Sequence, residues 1–153
     1  REAEARGISA ERLIFAEKVP QAEHLARQKL ADLFLDTFNI NAHTTASDAL
    51  WAGLPVVTKL GEGFAARVAG SLLAAIGLTE LITENEEEYE ALALTLATDP
   101  KRLGQVKSKL DGNRLTHPLF DSEMYTRHLE AGYHMAYDRY FNEQEQSDIV
   151  VPK

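Results

Sequence analysis

Short apolar runs alternate with amphipathic segments along the first half of the chain. Arg12-Leu13-Ile14-Phe15, Asp32 to Asp36 and Pro55-Val56-Val57-Thr58 are too short for helices and rich in branched or aromatic side chains. They predict buried strands, with a minimal further strand at Leu81-Ile82. Between them the apolar positions recur at helical spacing. This predicts a polar helical stub over 1–10 and a helix over 21–31 behind Pro20, with Leu25, Ala26 and Leu30 inward. It also predicts a helix from Thr44 to Trp51 stopped by Gly53 and Pro55, and an alanine-rich helix from Phe64 to Ile76 ended by Gly77. From about Asn85 the pattern is helical only, over 85–98, 100–111 and 121–141. In the last of these, Met124, Tyr125, His128, Leu129 and Ala136 share a face that predicts docking against other structure. Strands alternating with helices imply an α/β fold with a parallel sheet covered on both faces. No repeat or linker divides the chain, so 1–153 reads as one unit with a helical tail over about 85–145.

Composition removes several function classes. The chain has no cysteine, which excludes disulfides, a thiolate nucleophile and cysteine-ligated metal. Its 16 basic and 24 acidic residues leave a net charge of −8, the wrong sign for a general nucleic-acid binder. No run approaches a membrane span and no signal peptide opens the sequence. The start at Arg1-Glu2-Ala3-Glu4, without Met, reads as a segment of a longer protein.

In open α/β sheets, ligands bind beyond the C-terminal ends of the strands. The loop after Asp36 runs Thr37 to His43 and delivers Thr44 and Thr45 to a helix start. Their hydroxyls and backbone N–H groups, at the positive end of a helix, suit a phosphate or diphosphate, with His43 beside them. Thr45 and Asp48 have capping-box spacing, so an ordinary capped helix fits the same residues. One strand earlier, Gln21, His24, Arg27 and Gln28 form a polar stripe on helix 21–31. A histidine and an arginine there suit a flat heterocycle and an anion; a solvated helix face is the competing reading. Neither a dinucleotide fingerprint nor a P-loop is present, no Asp-x-Asp pair offers a metal site, and Ser47 and Ser71 lack a nucleophile elbow. His117, His128 and His134 lie in the tail at no ligand spacing.

The stretch from Ala31 to Thr58, with Asn41-Ala42-His43-Thr44-Thr45-Ala46-Ser47-Asp48 and Trp51-Ala52-Gly53-Leu54-Pro55-Val56-Val57-Thr58, closely resembles the C-terminal catalytic lobe of the O-GlcNAc transferase and SPINDLY-like glycosyltransferase family, in its bacterial form. The likeness extends upstream through Arg12 to Phe15 and Glu23-His24-Leu25, and downstream through Gly61 to Ala69 and His117-Pro118-Leu119-Phe120, to about residue 140. It implies a Rossmann-like parallel sheet, the C-terminal lobe of a GT-B fold. The N-terminal lobe and tetratricopeptide repeats are expected upstream. The implied reaction moves N-acetylglucosamine from UDP-GlcNAc to Ser or Thr of a protein acceptor, with inversion and without metal or other cofactor, in the cytoplasm. This segment alone is expected to be inactive.

By the same resemblance, the backbone around Val19 reads the uracil edge, His24 flanks the uracil with Arg27 beside it, and Gln21 stands near the ribose. His43, Thr44 and Thr45 hold the diphosphate and the sugar side, with His43 the candidate donor-stabilising residue, and Asp48 reaches the ribose. The chain departs from the family pattern in two places: Gln21 replaces a lysine found in animal members, and Asn39-Ile40 replaces a Pro-Tyr pair. The glutamine and lysine that the family places on the pyrophosphate are expected upstream of Arg1, and the catalytic base is not identified within this chain. Alternatives on the same fold are a GDP-fucose protein transferase or a UDP-sugar epimerase, and outside catalysis a nucleotide-binding interaction module.

Overall fold

A computed structural model of the chain describes residues 1–152. Three parallel strands, β1 (Phe34–Leu35), β2 (Val56–Lys59) and β3 (Ile82–Thr83), form a sheet in that order. Phe34 lies opposite Val56 and Leu35 opposite Val57; Thr58 lies opposite Ile82 and Lys59 opposite Thr83. Val56 and Val57 point to opposite faces of the sheet, yet both are fully buried, so both faces are covered.

The described residues also form seven helices: α1 (Glu2–Ala5), α2 (Gln21–Gln28), α3 (Thr44–Ala52), α4 (Val68–Ala75), α5 (Glu86–Thr98), α6 (Pro100–Asn113) and α7 (Ser122–Phe141). Helix α3 joins β1 to β2 and α4 joins β2 to β3. Right-handed crossovers running the same way across the sheet place both on one face, where they pack on each other and on β2. Helix α5 packs on β2 and β3, covering the other face, and carries α6.

The sequence explains where these helices start and stop. Ala46, Ala49 and Leu50 recur at helical spacing on α3 and are fully buried. Gly53 ends α3 with φ 88°, and the Leu54 N–H bonds back to the Ala49 carbonyl at 2.8 Å. Asn85, Asp99 and Asp121 cap α5, α6 and α7 through their side chains. The acidic run at the start of α5 supplies Glu88, whose carboxylate accepts the Glu84 N–H at 3.0 Å and completes the cap.

Several expected elements differ. Leu13-Ile14-Phe15 is not a strand: it follows a 3-10 turn at Ala10–Arg12, and Ile14 and Phe15 are 88% and 90% exposed. Among the described residues β1 pairs only with β2, and the segment does not add to its free edge. Helix α2 stops at Gln28 and packs mainly against α3, which leaves Ala26 and Leu30 exposed. The helix expected over 64–76 splits into a 3-10 turn at Phe64–Ala66 and α4, with Arg67 between them at φ −125°. Helix α7 joins the domain through the Pro118–Phe120 turn, whose Leu119 and Phe120 pack on the core. Met124 and His128 are half-buried, and Tyr125, Leu129 and Ala136 are exposed, so the expected docking face is not covered within the described residues.

Candidate functional site

The site begins where β1 ends. Register sets Asp36 beside Thr58, and burial leaves the Asp36 residue only 4% exposed. Its Oδ1 accepts the backbone N–H groups of Thr37 and Ala42, at 2.8 and 2.7 Å, and its Oδ2 accepts the Thr58 hydroxyl at 2.6 Å. A buried carboxylate needs such donors to offset lost hydration. The Thr83 hydroxyl in turn donates to the Thr58 carbonyl at 3.0 Å. Each strand thus ends in a polar side chain, and together they tie loop 37–43 to the sheet.

A second set of contacts closes the loop. Asn41 donates from Nδ2 to the Thr37 carbonyl and from its backbone N–H to the Ala65 carbonyl, both at 2.8 Å. The Tyr89 hydroxyl on α5 donates to the Asp36 carbonyl at 2.9 Å, and its ring meets Phe38 edge-on at 5.0 Å. Lys59 lies 4.5 Å from the Phe38 ring centroid and pairs with Glu86 at 3.2 Å.

Burial, with the Asp36 charge adding to it, pushes the Tyr89 pKa up from 10.0 to about 12. A phenol kept protonated in the folded state contributes stability below pH 10 that is lost as pH rises towards 12. In denaturant titrations at stepped pH, the stability difference between the protein and Tyr89→Phe is therefore expected to shrink across that window. A difference that stays constant through it would contradict the assignment.

This loop delivers the start of α3. His43 is the N-cap and provides no side-chain cap bond, with its carbonyl accepting the Ser47 N–H at 3.1 Å. That corrects the Thr45–Asp48 capping box, because Thr44 and Thr45 already occupy the first two helical positions. Both threonines are exposed, and among the described residues neither hydroxyl has a hydrogen-bond partner. The N–H groups of Thr44, Thr45 and Ala46 precede the first helical bond. The first turn of α3 therefore presents N–H and hydroxyl donors at the positive end of the helix. Asp48, one turn further on, is half-buried with no ion pair among the described residues.

His43 is held from the other side. Its Nε2 lies 3.3 Å from the Ala65 carbonyl and its ring meets Phe64 edge-on at 6.2 Å. A carbonyl only accepts, so Nε2 carries the proton and, in the neutral ring, Nδ1 is left as an acceptor. The Gly61-Glu62-Gly63 loop has a structural task here. A Cβ on Gly61 would come within 2.5 Å of the Ala66 Cβ and push away the turn that carries Ala65.

The second cluster forms as the spacing predicts. His24 is half-buried on α2, with Arg27 Nη2 2.9 Å from its Nδ1 and Gln28 Nε2 3.1 Å from its Nε2. Arginine cannot accept, so Nδ1 is the unprotonated nitrogen. Nε2 then carries the proton, which turns the Gln28 carboxamide oxygen towards it. Arg27 also donates to the Glu17 carbonyl at 2.6 Å, fixing the extended segment that precedes α2. Val19 lies in that segment, half-buried, and its backbone groups have no hydrogen-bond partner among the described residues. Gln21 is exposed at the first position of α2.

Helices α2 and α3 pack together, so the two clusters belong to neighbouring elements. A hollow of about 610 Å³ lined by Leu60, Phe64, Val68, Leu72 and Ile82 holds none of the candidate residues. Among the described residues, no group of three metal-ligating side chains converges and no helix is long and apolar enough to cross a membrane.

A parallel α/β sheet with a donor-rich helix start beyond its strand ends has the architecture of a nucleotide-binding lobe. Residues 1–129 match Glycosyl transferase family 41, and the chain belongs to that family. It is 40% identical over 150 residues to the probable UDP-N-acetylglucosamine–peptide N-acetylglucosaminyltransferase SEC of Arabidopsis thaliana, covering 97% of this chain and 15% of that protein. It is 39% identical over 125 residues to the UDP-N-acetylglucosamine–peptide N-acetylglucosaminyltransferase of Caenorhabditis elegans, covering 82% of this chain and 11% of that protein. The structure superposes with a TM-score of 0.82, at 35% identity, on a point mutant of Thermobaculum terrenum O-GlcNAc transferase, covering 88% of this chain and 26% of that one. This match confirms the α/β fold and its place within a GT-B glycosyltransferase. The chain thus spans only 11–15% of the length of these two curated relatives.

Proposed function

We propose that this chain is the donor-binding lobe of a protein O-GlcNAc transferase, which moves N-acetylglucosamine from UDP-GlcNAc to Ser or Thr of a protein acceptor. The observation that carries this reading is the first turn of α3, where Thr44 and Thr45 present hydroxyls without partners among the described residues, beside free N–H groups. A leaving UDP gains negative charge on its diphosphate as the glycosidic bond breaks. Fixed donors at a helix N-terminus stabilise that charge without reorganising, so the reading includes transfer without a metal. His43 lies at the same turn on the sugar side. His24, with Arg27 beside it, flanks the base, the Val19 backbone reads its edge, and Gln21 and Asp48 face the ribose. The proposal also includes an N-terminal lobe and tetratricopeptide repeats elsewhere in the intact polypeptide, and a cytoplasmic setting.

Incubating the intact protein with UDP-GlcNAc, a Ser/Thr peptide and excess chelator tests it. The expected result is a peptide heavier by one N-acetylhexosamine, with no such product from residues 1–153 alone. No product from an intact protein that binds UDP would favour the non-catalytic module instead.

A further inference from the structure

We infer that Asp36 is the positioning residue of the donor site, acting through loop 37–43 to aim the first turn of α3. This rests on the reading of that turn as the diphosphate site. The Asp36 carboxylate touches no candidate ligand-binding side chain. It grips the loop at both ends instead, through the Thr37 N–H at its start and the Ala42 N–H immediately before His43. Its other oxygen is anchored to the central strand by the Thr58 hydroxyl. Loop, sheet and helix start therefore share one buried anion, which no cation neutralises within the described residues. With its carboxylate removed, the buried Thr58 hydroxyl and the part-buried Thr37 and Ala42 N–H groups would lose their shared acceptor, and the loop would move to satisfy them. Thr44 and Thr45 follow Ala42 by two and three residues, so such movement reaches the donors directly. The base-binding cluster on α2 is held by its own Arg27 and Gln28 contacts and shares no hydrogen bond with this anchor.

The test is UDP and uridine affinity in the intact protein for Asp36→Ala, Asp36→Asn and Thr58→Val. Asp36→Ala is expected to weaken UDP at least tenfold while uridine changes less than twofold. Asp36→Asn keeps an oxygen that accepts both N–H groups, and Thr58 Oγ1 can accept from the new amide, so UDP affinity is expected within about threefold of the parent. Thr58→Val keeps the shape, removes one donor to the carboxylate, and is expected to fall between the two. Thr58→Val also keeps the proposal testable if Asp36→Ala fails to fold. Equal losses for UDP and uridine in the folded variants, or no loss for UDP in Asp36→Ala or Thr58→Val, would overturn the positioning role while leaving the diphosphate site standing. A parent that binds UDP no better than uridine would overturn the diphosphate site itself, and this inference with it.

Discussion

Replacing Thr44 and Thr45 together by valine is expected to weaken UDP binding at least about tenfold. Each hydrogen bond to a charged group contributes roughly 1.5–3 kcal/mol, and about 1.4 kcal/mol is a factor of ten. Valine keeps the branched shape and removes both hydroxyl donors. Uridine lacks the diphosphate, so its affinity is expected to change less than twofold. Stability is expected to change little, because His43 and not Thr45 is the N-cap and neither hydroxyl serves the protein itself. Titration of both ligands, with a melting curve for the variant, checks this. Matched losses for uridine and UDP would show that the threonines do not hold the diphosphate.

Leu50→Ala is expected to produce the largest loss of stability. Leu50 is fully buried on α3, in the cluster formed with Val56, Val57, Leu73 and Leu110. Deleting a buried leucine side chain costs about 2–5 kcal/mol through lost transfer energy and the cavity left behind. That is a large share of the roughly 5–15 kcal/mol that stabilises a typical domain. The denaturation midpoint is expected to fall accordingly, while the folded fraction still binds UDP, since Leu50 lies on the face of α3 opposite its exposed first turn. A loss below about 1 kcal/mol would mean that the core under α3 readily collapses around the smaller side chain.

The elements legible in the sequence are those governed by local chemistry. Gly53 and Gly77 mark helix ends because the chain there turns left-handed, at φ 88° and 74°. The 3.6-residue period of Ala46, Ala49 and Leu50, and the caps at Asn85, Asp99 and Asp121, are equally local. Leu13 to Phe15 has the composition of a strand, but a strand exists only with a neighbour, and that depends on pairing the local pattern does not contain. The break at Arg67 is similar: alanines favour a helix through 64–76, but Gly61 N–H bonds to the Ala66 carbonyl at 2.9 Å and holds the first turn apart.

The site divides along the same line. The spacing of Gln21, His24, Arg27 and Gln28 places them on one face of α2, and the Arg27 and Gln28 contacts to His24 follow from it. The supporting residues were not legible. Asp36, Thr58 and Thr83 are far apart in sequence, and only parallel register brings them together. One signal was present: each apolar strand run gives way to a polar residue at its C-terminal end. Tyr89 reaches Asp36 from 53 residues away, and nothing in its local sequence announces that contact.

The most direct measurement is calorimetric titration of the intact protein with UDP, uridine and GDP under one buffer. UDP is expected to bind at least about tenfold more tightly than uridine, since the difference is the diphosphate held by α3. GDP is expected to bind at least about tenfold more weakly than UDP, since the base lies against His24 and the Val19 backbone. UDP binding no tighter than uridine, or GDP binding as tightly as UDP, would contradict a UDP-sugar site on these two helices.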